Sequence, residues 1–293
     1  MSEIKNYIFL NKFWDGFKER TDAEHIGFFE LIFSKTKLYP FEFTNDMNKA
    51  NILFESFGDT FYDKKVWNKK IFFSGESWIT HDDRYNIVLK SSYDYSNIIN
   101  LPLFVVYIHT NTTFLHRLIH RPLKTYDTIP KKFCCFCVSN SSSQPRNKMF
   151  QIVNSYKKVD SFGKFNNNIG FYAPGKYWSE EYINFLSQYK FIICFENSKY
   201  DTYITEKIVN AYLANSVPIY WGSSTVNTFF KQFIYLENEN NDTDYYDVLN
   251  KIKELDQNDE LYLDFINQSV FSENAFNQQF SIDIISNKIN NLL

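Results

Sequence analysis

Residues 191–222, FIICFENSKYDTYITEKIVNAYLANSVPIYWG, constrain the fold more than any other part of the chain. FIICFE is a short apolar run bounded by polar residues, the pattern of a buried strand. A polar loop follows, then a helix, TEKIVNAYLAN, then a second apolar strand, VPIYW, ended by Gly222. Two strands joined through a helix imply parallel pairing with a right-handed crossover. In open parallel sheets, ligands lie beyond the carboxyl ends of the strands, where loops lead into helices. The loop NSKYDTYITEK stands at such a place, and it concentrates tyrosine, threonine, glutamate and lysine there.

The same grammar extends in both directions. Upstream, FCCFCV reads as a strand, SNSSSQP as a loop and RNKMFQIVNSYKK as a helix opened by Pro145. VDSFG and an Asn- and Gly-rich loop then precede a helix, EEYINFLSQY, capped by Ser179 and carrying acids in its first turn. The N-terminal half places strands in NYIFL, ANILFES, KKIFFSGE, YNIVLKSS and LPLFVVYI. Between the first two, Thr21 and Glu24 form a capping box ahead of Ile26, Phe29, Ile32 and Phe33 at helical spacing. From DTDYYDVLNKIKEL onward the tail reads as helical packing surface. The polar, proline-bearing stretch HRPLKTYDTIPKK, residues 120–132, is the expected boundary. The expected organisation is α/β, with two doubly wound domains over residues 1–125 and 126–275 facing each other across a cleft, and a C-terminal helix over 276–293.

Composition excludes several functions. At 293 residues with 44% hydrophobic content the chain can bury a large core. A net charge of −3, with no block of Lys or Arg, argues against a nucleic-acid partner. The N-terminus lacks an apolar stretch after a basic start, and no run of about 18 apolar residues occurs, so no transmembrane segment is expected and the chain reads as cytoplasmic. Cys134, Cys135, Cys137 and Cys194 lie in apolar stretches without C-x-x-C spacing and read as free buried thiols. The sequons at Asn111 and Asn241 are what an Asn-rich chain produces by chance.

Arg146, Glu206 and Lys207 fall at the starts of helices, where free N–H groups and a partial positive charge suit phosphate. A lysine in a first helical turn opposes the helix dipole, so Lys207 calls for a local anion. Glu206 or a bound phosphate would supply it; the plainer alternative is that Glu206 caps the helix and Lys207 is solvated. Neither a Walker lysine nor a G-x-G-x-x-G pattern is present.

These residues resemble a known family. The order Phe-Glu-Asn, Tyr-x-Thr-Glu-Lys and Val-Pro-Ile-Tyr-Trp-Gly in residues 191–222 is similar to the α-1,3-fucosyltransferases of glycosyltransferase family 10. The block from FCCFCV to NNNIG resembles the preceding part of their donor domain, and FWDGF and FFSGE resemble their N-terminal domain. The resemblance implies the GT-B architecture and inverting transfer of L-fucose from GDP-fucose to an N-acetylglucosamine-type oligosaccharide acceptor. It implies Arg146 and Lys207 as phosphate cations, Asn197 and Tyr203 as donor contacts, Glu206 on the fucose ring, and Asn140 and Lys176 at the edge of the nucleotide. It matches the base to Glu76. From the residues alone, Glu55 also ends a strand and is not separable from Glu76; Gly75 would lift Glu76 on a tight turn, and burial against Trp78 would raise its pKa. No metal is required, since cations already serve the diphosphate, and HDD at residues 81–83 reads as a polar turn. His109, His116 and His120 carry no assigned role. Another GDP-hexose donor, or a catalytically silent sugar-nucleotide-binding module, are the alternatives.

Overall fold

Short runs of aromatic and branched residues, each flanked by polar ones, set the strands of this protein. The computed structural model describes residues 5–21, 24–57, 65–77, 82–121 and 126–293. By its contacts the chain divides into two units. One comprises Met1–Thr112, Asp201–Tyr203 and Asn274–Leu293, and the other Thr113–Tyr200 and Ile204–Glu273.

In the first unit, β1 (Asn6–Asn11), α1 (His25–Ser34), β2 (Phe41–Thr44), β3 (Ile52–Glu55), β4 (Lys69–Ser74), β5 (Ile87–Lys90), β6 (Ile98–Asn100) and α2 (Leu103–Thr110) follow one another. The strands form one sheet in the order β2-β1-β3-β4-β5-β6. Every pairing is parallel, with Ile8 opposite Ile52, Phe54 opposite Ile71 and Phe72 opposite Val88. Rings join α1 to the sheet: Phe29 lies 4.9 Å from Phe54 and 4.8 Å from Phe73, and Phe33 lies 5.3 Å from Phe54. Each such pair adds about 0.5–1.5 kcal/mol beyond its buried area.

Two local expectations are corrected here. The apolar run LPLFVVYI is not a strand: Leu103–Thr110 is helix α2, behind Pro102 at its N-cap. Phe104, Val105, Val106, Tyr107 and Ile108 are all buried, and a helix covered on every side shows the same unbroken apolar run as a central strand. The capping box also fails. Glu24 takes the N-cap of α1 with φ 58° and makes no side-chain cap hydrogen bond.

The second unit carries α3 (Thr112–His120, from its second residue), β7 (Lys132–Phe136), α4 (Gln144–Tyr156), β8 (Val159–Ser161), α5 (Glu180–Leu186), β9 (Tyr189–Phe195) and α6 (Glu206–Leu213). These are followed by β10 (Val217–Trp221), α7 (Val226–Phe229), β11 (Ile234–Tyr235), α8 (Asp242–Gln257) and α9 (Asp259–Ile266). The sheet order is β11-β10-β9-β7-β8, again wholly parallel, with Cys134 opposite Phe191 and Cys194 opposite Tyr220. β9 and β10 read as unbroken apolar runs because both faces are covered. Phe136, Met149, Phe191, Ile219, Tyr245 and Ile252 belong to one continuous core. Helix starts follow the sequence reading: Ser179 accepts from Tyr182 N at 3.2 Å, and Pro145 lies in the first turn of α4 behind Ser143.

The tail forms two helices, α10 (Glu273–Phe280) and α11 (Ile282–Leu292). Residues from Asn274 onward pack with the first unit. Ser286 Oγ donates to Ile32 O at 3.1 Å, and Asn290 Oδ1 accepts from Lys37 N at 2.7 Å. Among the described residues no helix is long and apolar enough to cross a membrane.

Candidate active site

At the carboxyl edge of the second unit's sheet, the residue after β9 is Glu196, whose side chain is fully buried. A buried carboxylate needs donors, and the loop before α6 supplies them. Thr205 N donates to Oε1 and Thr205 Oγ1 to Oε2, each at 2.8 Å, and Lys207 Nζ lies 3.2 Å from Oε2. Lys207 Nζ also reaches Thr205 Oγ1 at 3.0 Å, whereas Glu206 Oε1 is 3.8 Å away. Burial pushes the Glu196 carboxyl above its usual range, and Lys207 pulls it back. The local anion that a first-turn lysine calls for is therefore Glu196 in the first place, with Glu206 second. Glu196 was not singled out in the sequence, because its partners sit 9 and 11 positions downstream and meet it only when the loop folds back. Gly222 makes room for it: a Cβ there would lie 2.8 Å from Glu196 Cγ and 2.6 Å from Tyr220 Oη.

Arg146, in the first turn of α4, is completely buried. Its Nη1 donates to Asn197 Oδ1 at 2.9 Å, and its Nη2 donates to the carbonyl of Asn140. The Asn140 side chain turns elsewhere and accepts from Ser142 N at 2.8 Å. Arg146, Asn140 and Asn197 thus form one cluster that ties the loops after β7 and β9 together.

Beside it, a cavity of about 750 Å³ is lined by Lys164, Lys176, Tyr177, Trp178, Glu206 and Lys207, among others. That volume suits a nucleotide-sized ligand, and three lysines beside aromatic rings suit a diphosphate joined to a base. The cavity wall is braced from within: Asn210 Nδ2, on α6, donates to Tyr177 O at 3.0 Å, and Ser179 Oγ accepts from Lys176 N at 3.1 Å. Gly163 lies so close to the loop after β7 that a Cβ would fall 2.1 Å from Val138 O. Of the donor residues expected from sequence, Lys176, Glu206 and Lys207 line this cavity. Asn140, Arg146 and Asn197 are not among its described lining residues.

In the first unit, Glu76 lies two residues beyond β4 and is partly buried. Its backbone N–H donates to Ser74 Oγ at 3.1 Å, and Tyr203 Oη donates to its Oε2 at 3.2 Å. Tyr203, 1% exposed, is thus found on the carboxylate expected to be the base, and it is not among the described residues lining the 750 Å³ cavity. Glu55 differs sharply. It is fully buried and accepts from Tyr85 Oη at 2.8 Å and Asn11 Nδ2 at 2.6 Å, and burial raises its pKa. Both its oxygens are engaged, which separates it from Glu76. Gly75 does not take a left-handed φ; instead its Cα lies close to Leu103, whose Cδ1 would be 3.0 Å from a Cβ. Trp78 and His81 lie outside the described residues. Asp82–Arg84 is a short 3-10 turn, and Asp82 pairs with Lys90 at 2.5 Å.

The chain matches known proteins over its second half and in its fold. A profile of the C-terminal region of glycosyltransferase family 10 (fucosyltransferase) covers residues 129–282, more than half of the chain. A protein of Acanthamoeba polyphaga mimivirus, named as a fucosyltransferase, is 37% identical over 160 residues, 52% of this chain and 25% of its own length. An α-(1,3)-fucosyltransferase of Helicobacter pylori is 34% identical over 48% of this chain and 28% of its own length. The chain thus spans little more than a quarter of those two relatives. In solved structures, a crystal structure of an α1,3-fucosyltransferase matches with a TM-score of 0.77 at 21% identity, covering 99% of this chain and 90% of that one. Another, determined with GDP-fucose, matches with a TM-score of 0.75 at 22% identity, covering 100% and 92%. Two wholly parallel sheets with their helices are therefore the Rossmann-like units of the GT-B fold. By its sequence over residues 129–282, the chain belongs to glycosyltransferase family 10, the fucosyltransferase family.

Proposed function

We propose that the protein is an inverting fucosyltransferase that moves L-fucose from GDP-fucose to a hydroxyl of an N-acetylglucosamine-type, lactosamine-like acceptor in α-1,3 linkage. The observation that carries this reading is the cavity at the start of α6, where Lys207 is fixed beside a carboxylate sealed from solvent and Lys176 stands on the same wall. A leaving diphosphate needs its growing charge neutralised, and cations already held in place do so without reorganising at the moment of reaction. Lys207 and Lys176 take that role, and Glu206 accepts from the fucose ring and shares the positive charge developing on it. Arg146 acts by tying the loops of Asn140 and Asn197, since its guanidinium is buried.

Glu76 takes the proton of the acceptor hydroxyl as that oxygen attacks the anomeric carbon and the bond to GDP breaks. Tyr203 donates to one oxygen of Glu76 and so orients it, leaving the other for the acceptor proton. Tyr93 and Tyr95, exposed on the loop after the neighbouring strand β5, offer rings for a sugar face. In this reading residues 1–125 hold the acceptor and 126–275 the donor. No metal takes part, and the acceptor is a soluble or lipid-linked glycan of the cytoplasm. GDP release should be measured from GDP-fucose, with GDP-mannose as control, against lactosamine, lacto-N-biose and monosaccharide acceptors. Release only with GDP-fucose and one acceptor is expected; equal release from GDP-mannose would overturn the donor, and GDP-fucose binding without transfer to any acceptor would favour a binding module.

A further inference from the structure

The second unit holds another, smaller pocket, of about 120 Å³, lined by His116, Arg117, His120, Arg121, Tyr126 and Asn215 among others. The last turns of α3 build one wall. His116 and His120 stand four residues apart on one face, exposed, with ring centroids 4.1 Å apart. Arg117 pairs with Glu180 of α5 at 2.8 Å and donates through Nη2 to Leu213 O at 2.7 Å. Arg121 is only 4% exposed. Its Nη1 donates to Tyr212 O at 3.0 Å and its Nη2 to Ile266 O at 3.2 Å, and Tyr126 and Tyr212 present their rings at 5.9 and 5.6 Å. Its Nε–H is buried without an acceptor, and no carboxylate pairs with it among the described residues.

The charges do not balance. Among the described residues Glu180 pairs with Arg117, the more exposed guanidinium, and no carboxylate pairs with Arg121. Neutral carbonyls and rings only partly replace the hydration that a buried guanidinium gives up, and an orphaned N–H adds to that cost. Polar groups in this state point to an unfilled partner of negative charge. The pocket has room for several waters but about a sixth of the volume of the donor cavity, so a nucleotide is excluded and a phosphate-sized group is not.

We propose that this pocket binds a small oxyanion of the phosphate class, with Arg121 as its buried anchor and His116 and His120 as donors at its mouth. Guanidinium and imidazole N–H groups converging on one pocket match the several acceptor oxygens of such a group. The ligand is either free phosphate or a phosphate ester on a sugar, both of which present the same oxygens.

The test is calorimetric titration of the full chain, in chloride buffer, with inorganic phosphate and separately with glucose 6-phosphate. Phosphate also suits the donor cavity, so the titrations are repeated, below its melting range, on Lys207→Met, which removes the cation of that cavity and replaces no residue lining this pocket. Saturable binding is expected, unchanged in Lys207→Met and weakened about tenfold or more in His116→Ala/His120→Ala, whose melting should match the wild type because both rings are exposed. Arg121→Lys, which keeps the charge but loses the planar fork, should weaken it further. Binding of phosphate itself identifies the free ion, and binding of the ester alone identifies a sugar phosphate. No saturable binding of either up to about 20 mM, or binding lost in Lys207→Met and kept in the double histidine variant, would overturn the proposal. Binding of Zn²⁺ by the two histidines with no phosphate binding would also overturn it.

Discussion

Replacing Lys207 by methionine isolates the charge at the centre of the proposed donor site. Lys207 Nζ lies 3.2 Å from Glu196 Oε2; the Glu196 side chain is fully buried and that of Lys207 is 23% exposed. Methionine keeps most of the packing of the stem and removes the cation. Stripping one partner from a buried pair costs about 3–5 kcal/mol, because the other charge is left behind. Here Thr205 still donates twice, at 2.8 Å, and the lysine side chain is partly exposed, so the loss should be nearer 2–3 kcal/mol. For a unit of this size that is a fall in Tm of about 4–12 °C. Two units melt independently or together, so the loss is best read locally, by hydrogen exchange of amides in β9 and β10. The double variant Glu196→Gln/Lys207→Met removes both charges and should recover at least half of the loss. The pH dependence has a fixed sign. Burial raises the Glu196 carboxyl in the folded state, so its contribution is full below the ordinary carboxylate range and is lost as pH rises through the folded-state value. Taking away Lys207 removes the influence that lowers it, so the deficit of Lys207→Met should be largest at neutral pH and shrink on acidification. A loss below about 0.5 kcal/mol, or a double variant whose losses simply add, would refute the pairing described here.

Glu76→Gln should lower transfer by about 10²–10⁴ while leaving GDP affinity unchanged, and wild-type turnover would remove Glu76 from the mechanism. Tyr203→Phe should lower turnover about tenfold through loss of one charge-assisted hydrogen bond, again without a change in GDP affinity in calorimetry. Gly222→Ala should destabilise the second unit by about 1–3 kcal/mol, because the new methyl meets Glu196 and Tyr220 at less than contact distance; an unchanged Tm would contradict that approach. A chelator should leave transfer intact, and loss of activity restored by Mn²⁺ would show a metal role.

Where a segment satisfies both its ends locally, its structure was readable in advance. Ser179 before α5 and Thr205 before α6 bond to amides within a few residues, so helix starts could be placed. β7, β9 and β10 are covered on both faces and show as unbroken apolar runs. The same property misled at α2, whose buried circumference imitates a strand. β2, β6 and β11 were missed: each is a short strand at a sheet edge and lacks the unbroken apolar run of a strand covered on both faces. In the site, Lys207 stood out as a lysine opposed to a helix dipole. Its partner Glu196 did not, nor did the bond between Tyr203 and Glu76, which joins positions 127 residues apart. Arg121 lay unnoticed in a proline-bearing stretch, since only the fold reveals that no acid meets it among the described residues.

The four cysteines have a practical consequence. Burial pushes the Cys134, Cys135 and Cys194 thiols well above their usual range, and raises Cys137 as well. Thiolate, not thiol, attacks alkylating reagents, so the native protein should be almost silent toward maleimide at neutral pH. A cysteine placed at the exposed Asp247 on α8 would then carry a dye nearly alone. Cys137 is the partly exposed member of the four and lines the proposed donor cavity, so its slow modification would serve as a built-in clock for how often that cavity stands empty.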